Sequence, residues 1–407
     1  MPSRCIVIAQ GLPNSENGFG LAMISSLKLY ASVFDHVLYL VLSDRMGSDS
    51  FPLTLPASVE YRHIYARHSS RAIRFLRSVA SKVPACVQQM KSYPIQSSVF
   101  AAISESLAED ENTCCIVENL APSVLIPRIR RNFPGLRLVY RSHDVSGLAF
   151  APFASEGSLP SRLMWQFEIS RIHALERAVL GACDLVWAIT DTDADEIRGL
   201  YGRECDGVAD VRIDVGRYRN VSSGAWDRIL YLGSSDFRKA RGLYWFLDEC
   251  WPRIRSVAPD MEFCIGGKGT EFLNGYAPGV VAVGGVSAED EIEFLGRGRY
   301  FLNPQQAGSG IKLKSLVALS AGKVLISTSN GVAGIRGGEA GKHFLVADGP
   351  AAMEQRVRML LSDHENSNRL AKSGSALASA NYDLADYDRS DRQFSALQLQ
   401  LYNLHAR

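Results

Sequence analysis

Residues 228–267 read RILYLGSSDFRKARGLYWFLDECWPRIRSVAPDMEFCIGG. The apolar run of strand length stops at Gly233 in a polar turn. A segment of helical spacing follows, GLYWFLDECWPRIRSV, and a second apolar run ends in another pair of glycines. A strand, a helix of ten or more residues and a second strand make a βαβ unit, whose strands run parallel because the helix carries the chain back. Strands covered by helices on both faces need apolar residues on both, so continuous apolar runs fit them better than alternation.

The same alternation extends in both directions. Upstream stand RCIVIA, the helical GLAMISSLKLYASVF, HVLYLVLS, a basic helical segment near 70–82, TCCIVEN, the helical PSVLIPRIRRN, LRLVYRSH, a long helix over about 160–181, and DLVWAIT. Downstream come VVAVGG, helix AEDEIEFLGRG, YFLNP, a further helix, KVLIST, HFLVA and a helix over 350–362. Between the two series, residues 203–226 are mixed in character and end in SSGAW. The fold class predicted is α/β, with two Rossmann-like parallel-sheet domains facing a cleft. Domains are expected at 1–205 and 227–385, with a hinge at 206–226. A terminal helix at 386–407, carrying Phe394, Leu397, Leu399, Leu401 and Leu404, is expected to cross back to the first domain.

Composition narrows the function. The 407 residues carry 44 basic and 43 acidic side chains, a net charge of +1. Nucleic acid as the main partner would select a strongly basic face, so it is set aside. The eight cysteines form no CxxC pair and mostly sit in apolar runs, as free thiols in a reducing compartment do. No run approaches the length of a membrane span, and the apolar stretch near the N-terminus is short for a signal peptide. A cytoplasmic location is expected.

Ligands of open parallel sheets sit beyond the carboxyl ends of strands, so the loops after strands are the ones to read. QGLPNSENGFG (10–20) places Gly18 and Gly20 at a helix start, where backbone can approach a phosphate, a sugar or an acceptor; a plain loop is the alternative. A dinucleotide fingerprint would need its glycines sooner and a third where Met23 stands. RSHDVSG offers His143 and Asp144, and the neighbouring strand ends in Glu118 and Asn119. SSDFRKARG supplies Ser234, Arg238, Lys239 and Arg241, which either neutralise an anion or are solvated. The GGKG turn (Gly266, Gly267) and the AVGGV turn (Gly284) suit close packing of a flat base. PQQAGSGIKLKSLVALSAGKVLIST (304–328) exposes Gly308, Ser309 and Gly310 before a helix and puts Lys312 and Lys314 in its first turn. The helix dipole disfavours cations there, so a bound anion would explain them. The P-loop pattern GxxxxGK[ST] is absent.

These stretches, together with VENLAPSVLIPRIRRNFPGLRLVYRSHDV and ALERAVLGACDLVWAITDTDADEI, resemble the retaining, nucleotide-sugar-dependent glycosyltransferases of family four, which share a two-domain GT-B fold. The resemblance covers most of the chain, weakly before residue 110 and specifically over about 228–350. It implies a donor diphosphate near Gly308, Ser309, Gly310 and Lys312, with Lys314 beside them. It also implies help from the loop of Gly233, Ser234, Arg238 and Arg241, with the base against Gly266, Gly267 and Gly284. His143 would lie near the reacting sugar, and Gly18 and Gly20 would border the diphosphate. The implied donor is a UDP- or GDP-sugar, with no other cofactor and no metal; DTDAD (191–195) contains Asp-x-Asp but reads as a helix start.

Two departures stand out. Val317 occupies the place of the second of the family's two glutamates, and Ser309 that of the first. Ser234 replaces the cation that usually follows the first glycine of this half. Loss of a carboxylate clamp on the ribose removes about 1–3 kcal/mol of charged hydrogen bonding. A binding partner that kept the fold without catalysis is therefore one alternative reading; a sugar-nucleotide epimerase of the same two-domain shape is the other. On the acceptor side, residues 62–82 are basic, with Ile73, Leu76, Val79 and Val83 on one helical face. This segment is either a surface helix docked on the sheet or a peripheral contact with the cytoplasmic face of the inner membrane, where a lipid-linked glycan would be the acceptor.

Overall fold

In a computed structural model, residues 4–11, 13, 18–43, 55–65, 70–81, 83–155, 157–234, 237–385 and 400 are described. The chain divides into two compact units, Met1–Val211 with Asp386–Arg407, and Arg212–Ala385. The division at 211/212 falls inside the segment read as a hinge. That segment holds a short strand of the first sheet at Gly207–Val208 and a 3-10 turn at Val215–Tyr218.

In the first unit the strands are β1 (Arg4–Gln10), β2 (His36–Ser43), β3 (Val59–Tyr65), β4 (Cys114–Glu118), β5 (Arg137–Ser142), β6 (Leu185–Ala188) and β7 (Gly207–Val208). All pair in parallel, in the order β3-β2-β1-β4-β5-β6-β7. The α-helices are α1 (Gly18–Val33), α2 (Arg71–Ser81), α3 (Tyr93–Glu109), α4 (Leu120–Ser123), α5 (Ile126–Asn132), α6 (Ser146–Phe150), α7 (Leu159–Ala182) and α8 (Asp191–Tyr201). DTDAD does open a helix: Thr190 caps α8, its hydroxyl accepting from the Asp193 amide at 3.0 Å.

The second unit repeats the plan. Strands β8 (Ala225–Leu232), β9 (Glu262–Gly266), β10 (Val280–Gly284), β11 (Gly298–Asn303), β12 (Val324–Ser327) and β13 (Leu345–Val346) form a parallel sheet ordered β10-β9-β8-β11-β12-β13. Its helices are α9 (Phe237–Trp245), α10 (Trp251–Val257), α11 (Glu291–Gly296), α12 (Leu313–Ser320), α13 (Pro350–Ser362) and α14 (His364–Tyr382). Each unit has its own apolar core, with Ile6, Val117, Leu138 and Val186 in one, and Ile229, Phe263, Leu302 and Ile326 in the other.

The sheet orders matter for function. Both run 3-2-1-4-5-6, so connections leave in opposite directions from strands one and four. That topological switch opens a crevice at their carboxyl ends, where ligands of doubly wound sheets bind. The crevices lie between β1 and β4, and between β8 and β11.

Several expectations are corrected. The stretch 62–82 is not one helix: Val59–Tyr65 is an edge strand, and only Arg71–Ser81 is helical. PSVLIPRIRRN is broken near Val124 and Leu125 into α4 and α5, Pro127 being unable to donate into the preceding turn. The 242–257 helix carries a π-helical turn at Phe246–Cys250, ahead of Pro252. The helix of the 304–328 stretch begins at Leu313, not near Ser309, with Lys312 as its N-cap. The expected terminal helix lies outside the described residues, save Gln400, whose side-chain oxygen accepts from Trp187 Nε1 at 2.9 Å in the first unit.

Candidate functional site

At the switch point of the second sheet, three strand ends are joined through backbone alone. The Gly233 amide donates to the Gly266 carbonyl at 2.8 Å, and the Gly267 amide to the Gly284 carbonyl at 2.6 Å. Gly267 has φ +135°, and a Cβ there would lie 2.1 Å from the Gly233 oxygen, so no other residue fits. The structure thus brings together Gly233, Ser234, Gly266, Gly267 and Gly284 at the carboxyl ends of β8, β9 and β10. Glu271, not singled out from the sequence, joins them: its Oε1 accepts from the Gly285 amide at 3.3 Å.

The loop after β11 reaches the same edge. Gly308 and Gly310 have φ of +116° and +75°, and the turn they permit wraps around an ammonium group. Lys312 Nζ donates to the carbonyls of Gly308, Ser309 and Gly310 at 3.0, 3.0 and 2.7 Å. Its side chain is buried, and the Gly308 oxygen also accepts from Asn330 Nδ2 at 3.0 Å. Lys312 therefore neutralises the oxygens of its own loop and fixes the loop's shape.

Lys314 is placed differently. Its Nζ lies 5.0 Å from the Tyr231 ring centroid and would be 2.3 Å from a Cβ on Gly233. The side chain thus crosses from α12 to the end of β8, spanning the switch point. No hydrogen bond or ion pair of its ammonium occurs among the described residues, and burial pushes its pKa down to about 8. Among the described residues this desolvated cation meets an aromatic ring and no anion. Both lysines share one expected role in the sequence, whereas the loop torsions separate them.

The other expected residues of this half are less informative. Arg238 falls on α9, but its side chain lies outside the described residues; Arg241 is exposed on the same helix. Val317 is buried with the rest of the Ser315–Ser320 segment, so neither it nor Ser309 supplies a carboxylate at this edge.

In the first unit, the ends of β4 and β5 hold a buried charge network. Glu118 stands opposite Arg141 in the register, and both are fully buried. Arg141 Nη1 donates to Glu118 Oε2 at 3.2 Å and to Ser26 Oγ. Its Nη2 donates to the carbonyls of Ala209 and Asp210 at 2.7 and 3.0 Å. Tyr30 of α1 donates to Glu118 Oε1, and His143 Nε2 bonds Glu118 Oε2. Burial alone would raise the Glu118 carboxyl. The Arg141 and His143 charges and the two hydrogen bonds outweigh it and hold the pKa at about 2.

His143 is thus anchored through one ring nitrogen. The Phe19 ring, in the first turn of α1, lies 6.3 Å from its imidazole and also covers Gly11. Gly18 opens α1 and Gly20 is buried within it, so the start of α1 and the His143 turn meet at the first switch point. Beyond His143, Glu176 accepts from the Ser146 and Gly147 amides at 2.8 and 3.3 Å, fixing the turn into α6; burial raises its pKa to about 7. Asn119 is strained at φ 60° and ψ 177°, and neither side-chain amide atom has a partner among the described residues.

No group of three or more metal-ligating side chains occurs among the described residues, and no helix among them is long and apolar enough to cross a membrane. Residues 227–363 match the family model "Glycosyl transferases group 1". No curated protein matches the chain. Among solved structures, sucrose-phosphate synthase from Thermosynechococcus elongatus is similar at 13% identity and TM-score 0.69, over 98% of this chain and 99% of that one. Anabaena HepE in complex with UDP-glucose is similar at 12% identity and TM-score 0.61, over 99% and 100%. The E. coli trehalose-6-phosphate enzyme bound with UDP-2-fluoro glucose is similar at 11% and 0.62, over 98% and 99%. At such identities these likenesses establish the fold.

Proposed function

The chain is a glycosyltransferase carrying a group 1 domain on a GT-B fold, and from that premise we propose that it moves a hexose-type sugar, with retention, from a nucleoside-diphosphate sugar to a glycan or lipid-linked acceptor. The observation that carries the donor assignment is Lys314, a desolvated ammonium at the switch point of the second sheet with no anionic partner among the described residues. As the glycosidic bond breaks, negative charge gathers on the departing diphosphate. A preorganised cation in a dry site stabilises that charge most where it develops. Lys314 holds the diphosphate against the Gly233 turn, Lys312 shapes the Gly308–Gly310 loop, and an arginine of α9 assists. His143, anchored by Glu118, positions the sugar or polarises it. These protein cations take the place of a metal ion.

Two of the similar structures carry UDP-glucose and UDP-2-fluoro glucose, so UDP-hexoses are the first donors to test. Calorimetry of the whole chain with UDP- and GDP-sugars in EDTA is expected to show saturable binding of one donor class. Val317 favours a second reading, a binding partner without turnover, because the ribose finds no carboxylate on α12. Absence of binding by every donor would support that reading and overturn ours.

We further place the enzyme at the cytoplasmic face of the inner membrane, in bacterial surface polysaccharide or glycoconjugate synthesis. The support is α2, where Ile73, Leu76 and Val79 are 45%, 67% and 48% exposed on one face, with Arg74 and Arg77 beside them. An uncovered apolar stripe with arginines and no carboxylate suits an anionic bilayer. Flotation with phosphatidylglycerol vesicles is expected to carry the protein, and Leu76→Asp to reduce the bound fraction several-fold. Equal flotation of the variant would remove this assignment.

A further inference from the structure

A second candidate site lies in the same unit at the other end of α12. The segment after Arg212 enters the unit through the Val215–Tyr218 turn and borders, with α12 and α14, a cavity of about 160 Å³. Its polar lining is Arg219 and Ser223 from the entering segment, Ser320 from the last turn of α12, and Ser375 and Ser379 from α14. The two α14 serines are four residues apart and so share a helix face.

Ser320 is 3% exposed, and its hydroxyl has no hydrogen-bond partner among the described residues. The side chains of Arg219, Ser223, Ser375 and Ser379 likewise make no hydrogen bond or ion pair among the described residues. No carboxylate lines the cavity. Lys323, next to the lining Gly322, directs its ammonium to the Ser222 carbonyl, adding positive charge at the rim. A guanidinium only donates, and serine hydroxyls can donate, so what this set lacks is an acceptor-rich anion. The carbonyl end of a helix repels anions. Here that repulsion is blunted, because the carbonyls of Val317, Ala318 and Leu319 already accept from the amides of Ala321, Lys323 and Gly322.

We propose that this cavity binds a small oxyanion, a phosphate group held by Arg219 and the serine hydroxyls. It is separate from the Lys314 edge: Lys314 and Ser320 are six residues apart on α12, about 9 Å along its axis. The group arrives either as free phosphate or on a phosphorylated sugar.

Calorimetry on the full chain, at constant ionic strength, with inorganic phosphate and with glucose 6-phosphate tests this. Saturable phosphate binding is expected, weakened at least tenfold by Arg219→Ala and unchanged by Lys314→Met or by saturating UDP. Tighter binding of glucose 6-phosphate would identify a sugar phosphate as the source; equal or weaker binding would identify free phosphate. Ser375→Ala is a second, milder variant and should weaken binding a few-fold. Loss of phosphate binding in Lys314→Met, or displacement by UDP, would put the anion at the other end of α12 and overturn the proposal. Binding indifferent to all three variants would mean an adventitious ion only, and no saturable binding would equally overturn it. Donor binding measured alongside keeps this outcome distinct from the glycosyltransferase reading.

Discussion

Lys314→Met should lower the transfer rate by about two orders of magnitude or more, with a parallel loss of nucleotide affinity and little change in stability. The methionine keeps the length and apolar stem of lysine and can still lie on the Tyr231 ring. What disappears is a charge that the fold desolvates with no ion pair among the described residues, so removing it costs the fold little. A contact of roughly 3 kcal/mol to the departing diphosphate corresponds to about two decades in rate. Lys312→Met should behave in the opposite sense. Its ammonium satisfies three carbonyls of the Gly308–Gly310 turn, and without it those oxygens face one another. Loss of charged hydrogen bonds at about 1.5–3 kcal/mol each should loosen the loop and lower the thermal midpoint. Steady-state kinetics and thermal unfolding of the two variants separate the roles. If the large kinetic loss follows Lys312 while Lys314→Met turns over normally, the assignment of the diphosphate to Lys314 is wrong.

The contrast between these lysines shows where sequence reading stops. Both sheets were legible because strands covered on both faces must be continuously apolar, as RCIVIA, TCCIVEN and YFLNP are. β3 was not: VEYRHIY is a polar edge strand, and its arginine and histidine resembled the basic helix that follows. Helices α3 and α14 were also unmarked, their alanines and serines giving weak contrast between faces. At the site, residue types and the turns that hold them were readable from glycine placement. The direction of each side chain was not. Lys312 and Lys314 are two residues apart, and positive φ at Gly308 and Gly310 folds the carbonyls onto the first while α12 carries the second across to Gly233. Likewise Glu118 and His143 could be placed on neighbouring strand ends. Arg141 was passed over as a strand residue, and its fully buried guanidinium is what keeps Glu118 ionised.

Glu118→Gln should destabilise the first unit by roughly 3–5 kcal/mol, the loss expected when one member of a buried pair leaves the other's charge uncompensated. Glutamine can still accept from Tyr30, but Arg141 would lose its ionised partner while keeping the Ser26 hydroxyl and the Ala209 and Asp210 carbonyls. Hydrogen exchange at the amides of β4 and β5 reads this unit by itself, and unchanged protection would refute the role. His143→Gln removes one hydrogen bond and leaves the Glu118–Arg141 pair in place, so its stability cost should stay near 1 kcal/mol. If His143 acts on the sugar, that variant should still lose about two decades of transfer rate. The pH dependence supplies an independent check. The folded-state pKa of Glu118 lies at about 2, below its ordinary value, so its stabilisation is complete above about pH 4.5 and fades as pH falls towards 2. Glu118→Gln has no such proton to take up. The difference in stability between the two proteins should therefore shrink across that acid window, and a constant difference would mean that Glu118 is not held ionised by Arg141 and His143.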